Sequence, residues 1–176
     1  IGALSTSQVS ALTTAQIAAI ETGDLAGLTT DQIVALSSAQ IGAFKTAQIV
    51  ALSSTQIAAI ETSDIKGLTT AQVVALSSSQ VAALSTSQIA ALTTAQVAAI
   101  ETGDLAGLTT DQVVALSSAQ IGALKTAQIG ALSTTQIAAI ETGDLKGLTT
   151  AQVVALSSSQ IGALSTSQVS ALTTAQ

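Results

Sequence analysis

The carboxylates are the residues of this chain best suited to chemistry, because oxygen ligands can bind a hard cation such as Ca²⁺. They include two clusters of the same composition: Glu21, Asp24 and Asp31, and Glu101, Asp104 and Asp111. Their spacing matches neither the EF-hand loop nor a Gly-Asp-rich nonapeptide. We therefore interpret them as surface charges that keep the protein soluble and, near a helix start, favour the helix dipole.

The other side chains offer little material for catalysis. The sequence has no His and no Cys, so its many Ser and Thr hydroxyls lack a partnered base. The lysines are isolated among polar residues and are expected to be solvated: Lys45, Lys66, Lys125 and Lys146. Without Cys there is no disulfide and no zinc-thiolate site. We predict that the protein is not an enzyme and has no catalytic, cofactor-binding or metal-binding residue.

An eight-residue unit organises everything else. From Ile1 onwards the 176 residues are 22 octads without insertion or deletion. With positions lettered a to h, a is Ile, Val or Leu, c is Ala or Gly, and d is Leu, Ile or Phe. Position f is always Ser or Thr, e usually is, and h is Gln or Asp. So strict a repeat predicts one local structure stacked on itself, in which no octad folds alone.

Capping signals favour a short helix in each octad. Thr29 is a good N-cap, and Gln32 three positions later completes the capping box in which each side chain satisfies a backbone N–H. Leu28 before the cap and Ile33 at the fourth helical position fit a hydrophobic staple. The predicted fold class is therefore all-α, a repeat solenoid of very short capped helices, one per octad and each about seven residues long.

Two points of this fold remain open at the level of sequence. A β-solenoid is the alternative, although position d is always apolar where strand alternation would turn it outward. Its turns would also lack the Asn and Pro, and mostly the Gly, that tight turns use. The second point is the cap itself. Because f is hydroxylated without exception and e is not, the N-cap could be f rather than e.

A slower period overlies the octad. Octads with Glu at e and Asp at h recur at every fifth octad, and each is followed by an octad with Gly at c. The position b of that next octad alternates between Ala and Lys, so the full period is ten octads. This period has two interpretations. It records duplication of ten-octad blocks, or five octads correspond to a turn, or ten to a whole number of turns, in which case the acids would form a ladder along the solenoid.

Composition excludes several classes of function. The net charge is −6, and no basic stripe of the kind that neutralises phosphates is present, so no nucleic-acid partner is expected. No apolar run approaches the roughly 18–20 residues of a membrane span. Residues 161–176 repeat residues 1–16, and neither end has a polar capping repeat. We expect residues 1–176 to be one repeat array cut from a longer one.

The run Leu-Thr-Thr-x-Gln-Ile/Val-x-Ala-Leu resembles tandem octapeptide arrays of very large bacterial surface or secreted proteins that are described as adhesin-like. This resemblance covers the whole chain and implies an extracellular or cell-surface location and a structural or adhesive role. Leu108 to Val113 also resembles a helix start in the repeats of DNA-binding effectors of plant pathogens. That likeness ends at Val113 and lacks the base-reading loop, so DNA binding does not carry over.

These observations lead to two functional hypotheses. In the first, the chain is a structural segment of a bacterial filament, sheath or adhesin stalk, a self-stacking solenoid with a mechanical or spacer role. In the second, its polar face is a binding module for glycan, ice or a calcium-dependent partner. Self-association into fibres or lateral assemblies is expected, since some b positions leave apolar side chains outward: Val34, Val50, Val74 and Val114.

Overall fold

A computed structural model describes residues 1–176 as a succession of short helices without strands. The α-helices α1 to α17 are Thr6–Ser10, Thr14–Ala19, Thr30–Val34, Ser38–Ala43, Thr46–Ala51, Ser54–Ala58, Thr70–Val74, Ser78–Ala83, Thr86–Ala91, Thr94–Ala99, Thr110–Val114, Ser118–Ala123, Thr126–Ala131, Thr134–Ala139, Thr150–Val154, Ser158–Gly162 and Thr166–Ala171. The 3₁₀ helices η1 to η4 are Thr22–Gly27, Ile65–Gly67, Asp104–Gly107 and Leu145–Gly147. The predicted all-α solenoid is confirmed, and the β-solenoid alternative is wrong.

The helices stack in three columns. Each helix packs against the helix that lies three octads further along the chain. The first column contains α1, α3, α6, α8, η3, α13 and α15, and the second contains α2, α4, η2, α9, α11, α14 and α16. The third column contains η1, α5, α7, α10, α12, η4 and α17. One turn of the solenoid is therefore three octads, and the five-octad turn is wrong.

Two aliphatic positions of the octad form one continuous core. Side chains at a, such as Ile49 and Ile89, are completely buried, and side chains at d, such as Leu52 and Phe44, are nearly so. Most of them form a single cluster of 35 buried residues that follows the solenoid from Val9 to Leu156, whereas those of the terminal turns, such as Ile161, are only partly buried or exposed. Since each turn covers the one before it, the core extends along the solenoid axis and lengthens with every added turn.

The structure decides the open question of the cap. Position e is the N-cap, because its hydroxyl accepts a hydrogen bond from the backbone N–H of the glutamine at h, as Thr29 does from Gln32. Position f is the first helical residue. The α-helices have five or six residues, shorter than the length expected, since the next extended N-cap ends each of them.

The b-position valines lie on the outside of the solenoid. Val34, Val50, Val74 and Val114 are between 40% and 59% exposed, as expected, and Val154 is 78% exposed. Val50 and Val74 are one turn apart in the third column, Val34 and Val154 are five turns apart in the first column, and Val114 lies in the second column. They are therefore dispersed rather than gathered in one apolar patch. No helix of the protein has the length and apolar character required to span a bilayer.

Circular dichroism tests this secondary structure directly. We expect the far-ultraviolet spectrum of the purified chain to show the double minimum of helix, with the distortion that very short and 3₁₀ helices introduce. A spectrum with the single minimum of β-structure would contradict the fold.

Candidate functional site

The chemically distinctive site of this protein is the interface between consecutive turns, where most octads place a glutamine side chain. Most glutamines at h are between 1% and 5% exposed. An amide buried at this level needs partners for both its oxygen and its nitrogen, or it would be strongly destabilising. The octad supplies both partners, one within its own helix and one on the preceding turn.

Gln56 shows the arrangement. Its Oε1 accepts a hydrogen bond from the Ser53 backbone N–H at 2.8 Å, which completes the capping box of its own helix. Its Nε2 donates to the backbone carbonyls of Leu25 and Leu28, on the preceding turn, at 2.7 and 2.8 Å. The Leu25 carbonyl also accepts from the Leu28 backbone N–H, whereas the Leu28 carbonyl, at the end of the 3₁₀ helix, has no backbone donor and depends on Gln56. One side chain therefore caps a helix and joins two turns.

The same pattern recurs along the array and leaves no buried side-chain polar atom without a partner. Gln72 donates to Ile41 and Phe44, and Gln120 donates to Ile89 and Leu92. Gln16 lies in the first turn, where its Oε1 still accepts from Thr13 while its side chain is exposed. Sequence reasoning identified the cap but missed the inter-turn bond, because a hydrogen bond between residues so far apart in the chain leaves no local signal.

Acid octads interrupt this ladder of glutamines. Where e is Glu and h is Asp, the α-helix is replaced by a turn and a 3₁₀ helix, and the N-cap makes no side-chain hydrogen bond. The Asp side chain is shorter than that of Gln and does not form the hydrogen bond to the N-cap backbone that Gln forms in the other octads. Asp31 and Asp111 differ from these residues, since they lie in the first turn of α3 and α11 and complement the helix dipole.

The structure distributes the acids around the solenoid. The 3₁₀ helices of successive acid octads lie in the third, second, first and again third columns, because they are five octads apart and a turn contains three. The ladder of acids considered from the sequence therefore does not form. Glu21, Asp24 and Asp31 do not come together as a group able to hold a metal ion, and neither do Glu101, Asp104 and Asp111.

Two of the lysines lie one turn away from a glutamate that occupies the same octad position. Lys45 occupies position e three octads after Glu21, and Lys125 occupies position e three octads after Glu101. Each is thus on the turn next to a glutamate at the equivalent position, but no ion pair joins the two side chains. Lys66 and Lys146 are exposed at b within η2 and η4.

The surface carries shallow grooves rather than an enclosed pocket. Grooves of about 490 and 630 Å³ lie at equivalent places ten octads apart, beside Glu61 and Ser85 and beside Glu141 and Ser165. A third, of about 330 Å³, lies beside Leu28 and Ser53. All three open to solvent between consecutive turns, and none gathers the convergent polar groups typical of a catalytic site.

Exposed hydroxyls form the most regular polar feature of the surface. The hydroxyl at e is used as a cap, whereas the hydroxyl at f is left free in most octads. Because the f positions of one column are one turn apart, each column presents a row of Thr and Ser, such as Thr46, Thr70 and Thr94 in the third column.

Comparison with known proteins places these repeats in context. The family model described as the ALTTAQ repeat matches four consecutive stretches, residues 17–54, 57–94, 97–134 and 137–174. Each match begins with an acid octad, so the matched unit is the five-octad period seen in the sequence. No curated protein matches the sequence.

Proposed function

This chain belongs to the ALTTAQ repeat family, and on that premise we propose that it is a structural rod, a segment of a bacterial filament, sheath or adhesin stalk at the cell surface or outside the cell. Its role is mechanical: to project or space whatever lies beyond it. It requires no substrate and no cofactor.

The observation that carries this proposal is the direction of the contacts. Every substantial helix-to-helix contact joins elements of one column that are one turn apart. The buried amides and carbonyls are likewise satisfied between neighbouring turns. A protein built this way lengthens with each repeat and keeps a constant cross-section, which is the geometry of a spacer.

Small-angle scattering on arrays of different length tests the rod. With helices packing about 8–10 Å apart, each five-octad unit should add roughly 15 Å to the length. We therefore expect the radius of gyration to rise in proportion to the number of units. A globular protein would follow a power of about 0.4 in chain length, and that result would contradict the proposal. Electron microscopy should show rods rather than compact particles.

A second candidate is a binding module, and the rows of free f hydroxyls favour it. Regular hydroxyls on a solenoid can order water or hydrogen-bond a glycan. Replacing Thr46, Thr70 and Thr94 by Val removes three hydroxyls of one row without touching a cap or the core. Loss of ice recrystallisation inhibition, or of binding on a glycan array, would support this function. Unchanged behaviour, or no activity in the parent chain, would contradict it.

A further inference from the structure

One recurrent contact between turns involves three residues. They are the Asp at h of an acid octad, the Gly at c of the octad that follows it, and the Ser at f of an octad one turn earlier. The Asp at h follows a Ser-Ser octad, three octads earlier, in three places: Ser38 and Asp64, Ser78 and Asp104, Ser118 and Asp144. These aspartates are half-buried between the turns. The Ser38 backbone N–H donates to Asp64 Oδ1 at 2.7 Å, and Ser78 Oγ donates to Asp104 Oδ1 at 2.6 Å. No hydrogen bond joins Ser118 and Asp144, so the third contact consists of the close approach of Gly147 to the Ser118 backbone.

The glycine that follows each acid octad completes this contact. A Cβ added at Gly107 would lie 2.9 Å from the carbonyl oxygen of Ser78. At Gly67 and Gly147 the added Cβ would be closer still to the carbonyl oxygens of Ser38 and Ser118. The backbones of two consecutive turns are therefore in direct contact at these places, and only glycine, which has no Cβ, permits so close an approach.

The serine at f fits the same contact. Position f is Thr in most octads and Ser in five of them: Ser38, Ser78 and Ser118, which take part in this contact, and Ser54 and Ser158, which do not. The five-octad period is therefore more than duplication history, because one unit carries the Ser-Ser octad on which the Asp and Gly of the next unit pack.

We propose that this Ser-Asp-Gly contact determines the register in which the turns stack. The octads are otherwise so alike that sliding one turn over another by one octad would still place aliphatic side chains at a and d and glutamines at h. The slip would, however, move Asp64 and Gly67 away from Ser38 and leave them over a threonine octad. Near-degenerate registers of this kind require specific features that disfavour the alternatives. This inference rests on the fold and is independent of the proposed function.

Deleting single octads tests the register. Residues 85–92 lie between Ser78 and Asp104, so their removal shortens that spacing by one octad and breaks the contact. Residues 69–76 lie between no such pair, and their removal keeps all three spacings intact. We expect the 85–92 deletion to lower the urea midpoint and to give two sets of amide resonances from competing registers. The 69–76 deletion should give one set. If both deletions behave alike, the proposal is wrong.

Glycine substitutions provide a second, matched test in the full chain. Gly147→Ala introduces the clash with Ser118, whereas Gly143→Ala, in the preceding acid octad, meets no atom within 4 Å. We expect hydrogen-exchange rates of the amides around Ser118 and Gly147 to rise on the order of tenfold to a hundredfold in the first variant. The second variant should leave them unchanged. Equal exchange in both variants would overturn the assignment.

Discussion

Gln96→Met should destabilise the array by about 2–4 kcal/mol, because it leaves the Leu68 carbonyl and the Thr93 backbone N–H, on two consecutive turns, without hydrogen-bond partners. Gln96 is 2% exposed, and its Nε2 donates to the carbonyls of Ile65 and Leu68 at 3.1 and 2.7 Å. Its Oε1 also accepts from the Thr93 backbone N–H. Met has a similar length but can replace none of these bonds. Urea unfolding followed by circular dichroism measures the effect.

Gln16→Met is the matched control. Gln16 lies in an identical Thr-Thr-Ala-Gln sequence and accepts from Thr13 in the same way, but its side chain is exposed in the first turn. Only the capping contribution is lost, so the expected effect is under about 1 kcal/mol. Equal effects of the two substitutions would show that the inter-turn bonds contribute nothing beyond the caps.

Ile89→Ala is expected to cost about 2–5 kcal/mol, since it leaves a cavity in the core at position a. Ile89 is completely buried and lies in the middle of the second column. Each turn is stabilised mainly by the turns next to it. A cavity in one turn should therefore uncouple the turns on its two sides, so that the array unfolds in two parts rather than one. Hydrogen exchange resolved along the chain would show lost protection on both sides of Ile89.

Ile161→Ala provides the comparison at the same octad position. Ile161 is 48% exposed, because no later turn of the described chain covers it. The expected destabilisation is correspondingly small, about 1 kcal/mol or less. A large effect at Ile161 would mean that helix propensity, rather than coverage by the next turn, determines the contribution of position a.

Local signals made the fold predictable. The capping box at Thr29 and Gln32 is contained within half an octad, so its chemistry can be read without knowledge of the rest of the chain. The staple residues Leu28 and Ile33 are buried as expected. Helix length was overestimated because the next extended cap, such as Ser37, ends the helix earlier than the octad alone suggests.

The inter-turn site could not be predicted in the same way. Gln56 and Leu28 come together only once the number of octads per turn is known, and every octad offers the same aliphatic positions to its neighbours. The slower period was open to two interpretations, duplication or a turn of five octads, whereas the turn contains three.

The inter-turn glutamine bonds also give the rod a polarity. Each such Nε2 binds carbonyls of a turn made earlier, as Gln160 binds Ile129 and Leu132, and none binds a turn made later. A newly emerging turn therefore finds its acceptors already in place on the segment synthesised before it. The array can therefore assemble as it leaves the ribosome, each new turn packing on the turn synthesised before it. Arrays shortened from the C-terminal side should accordingly keep native protection in their N-terminal turns.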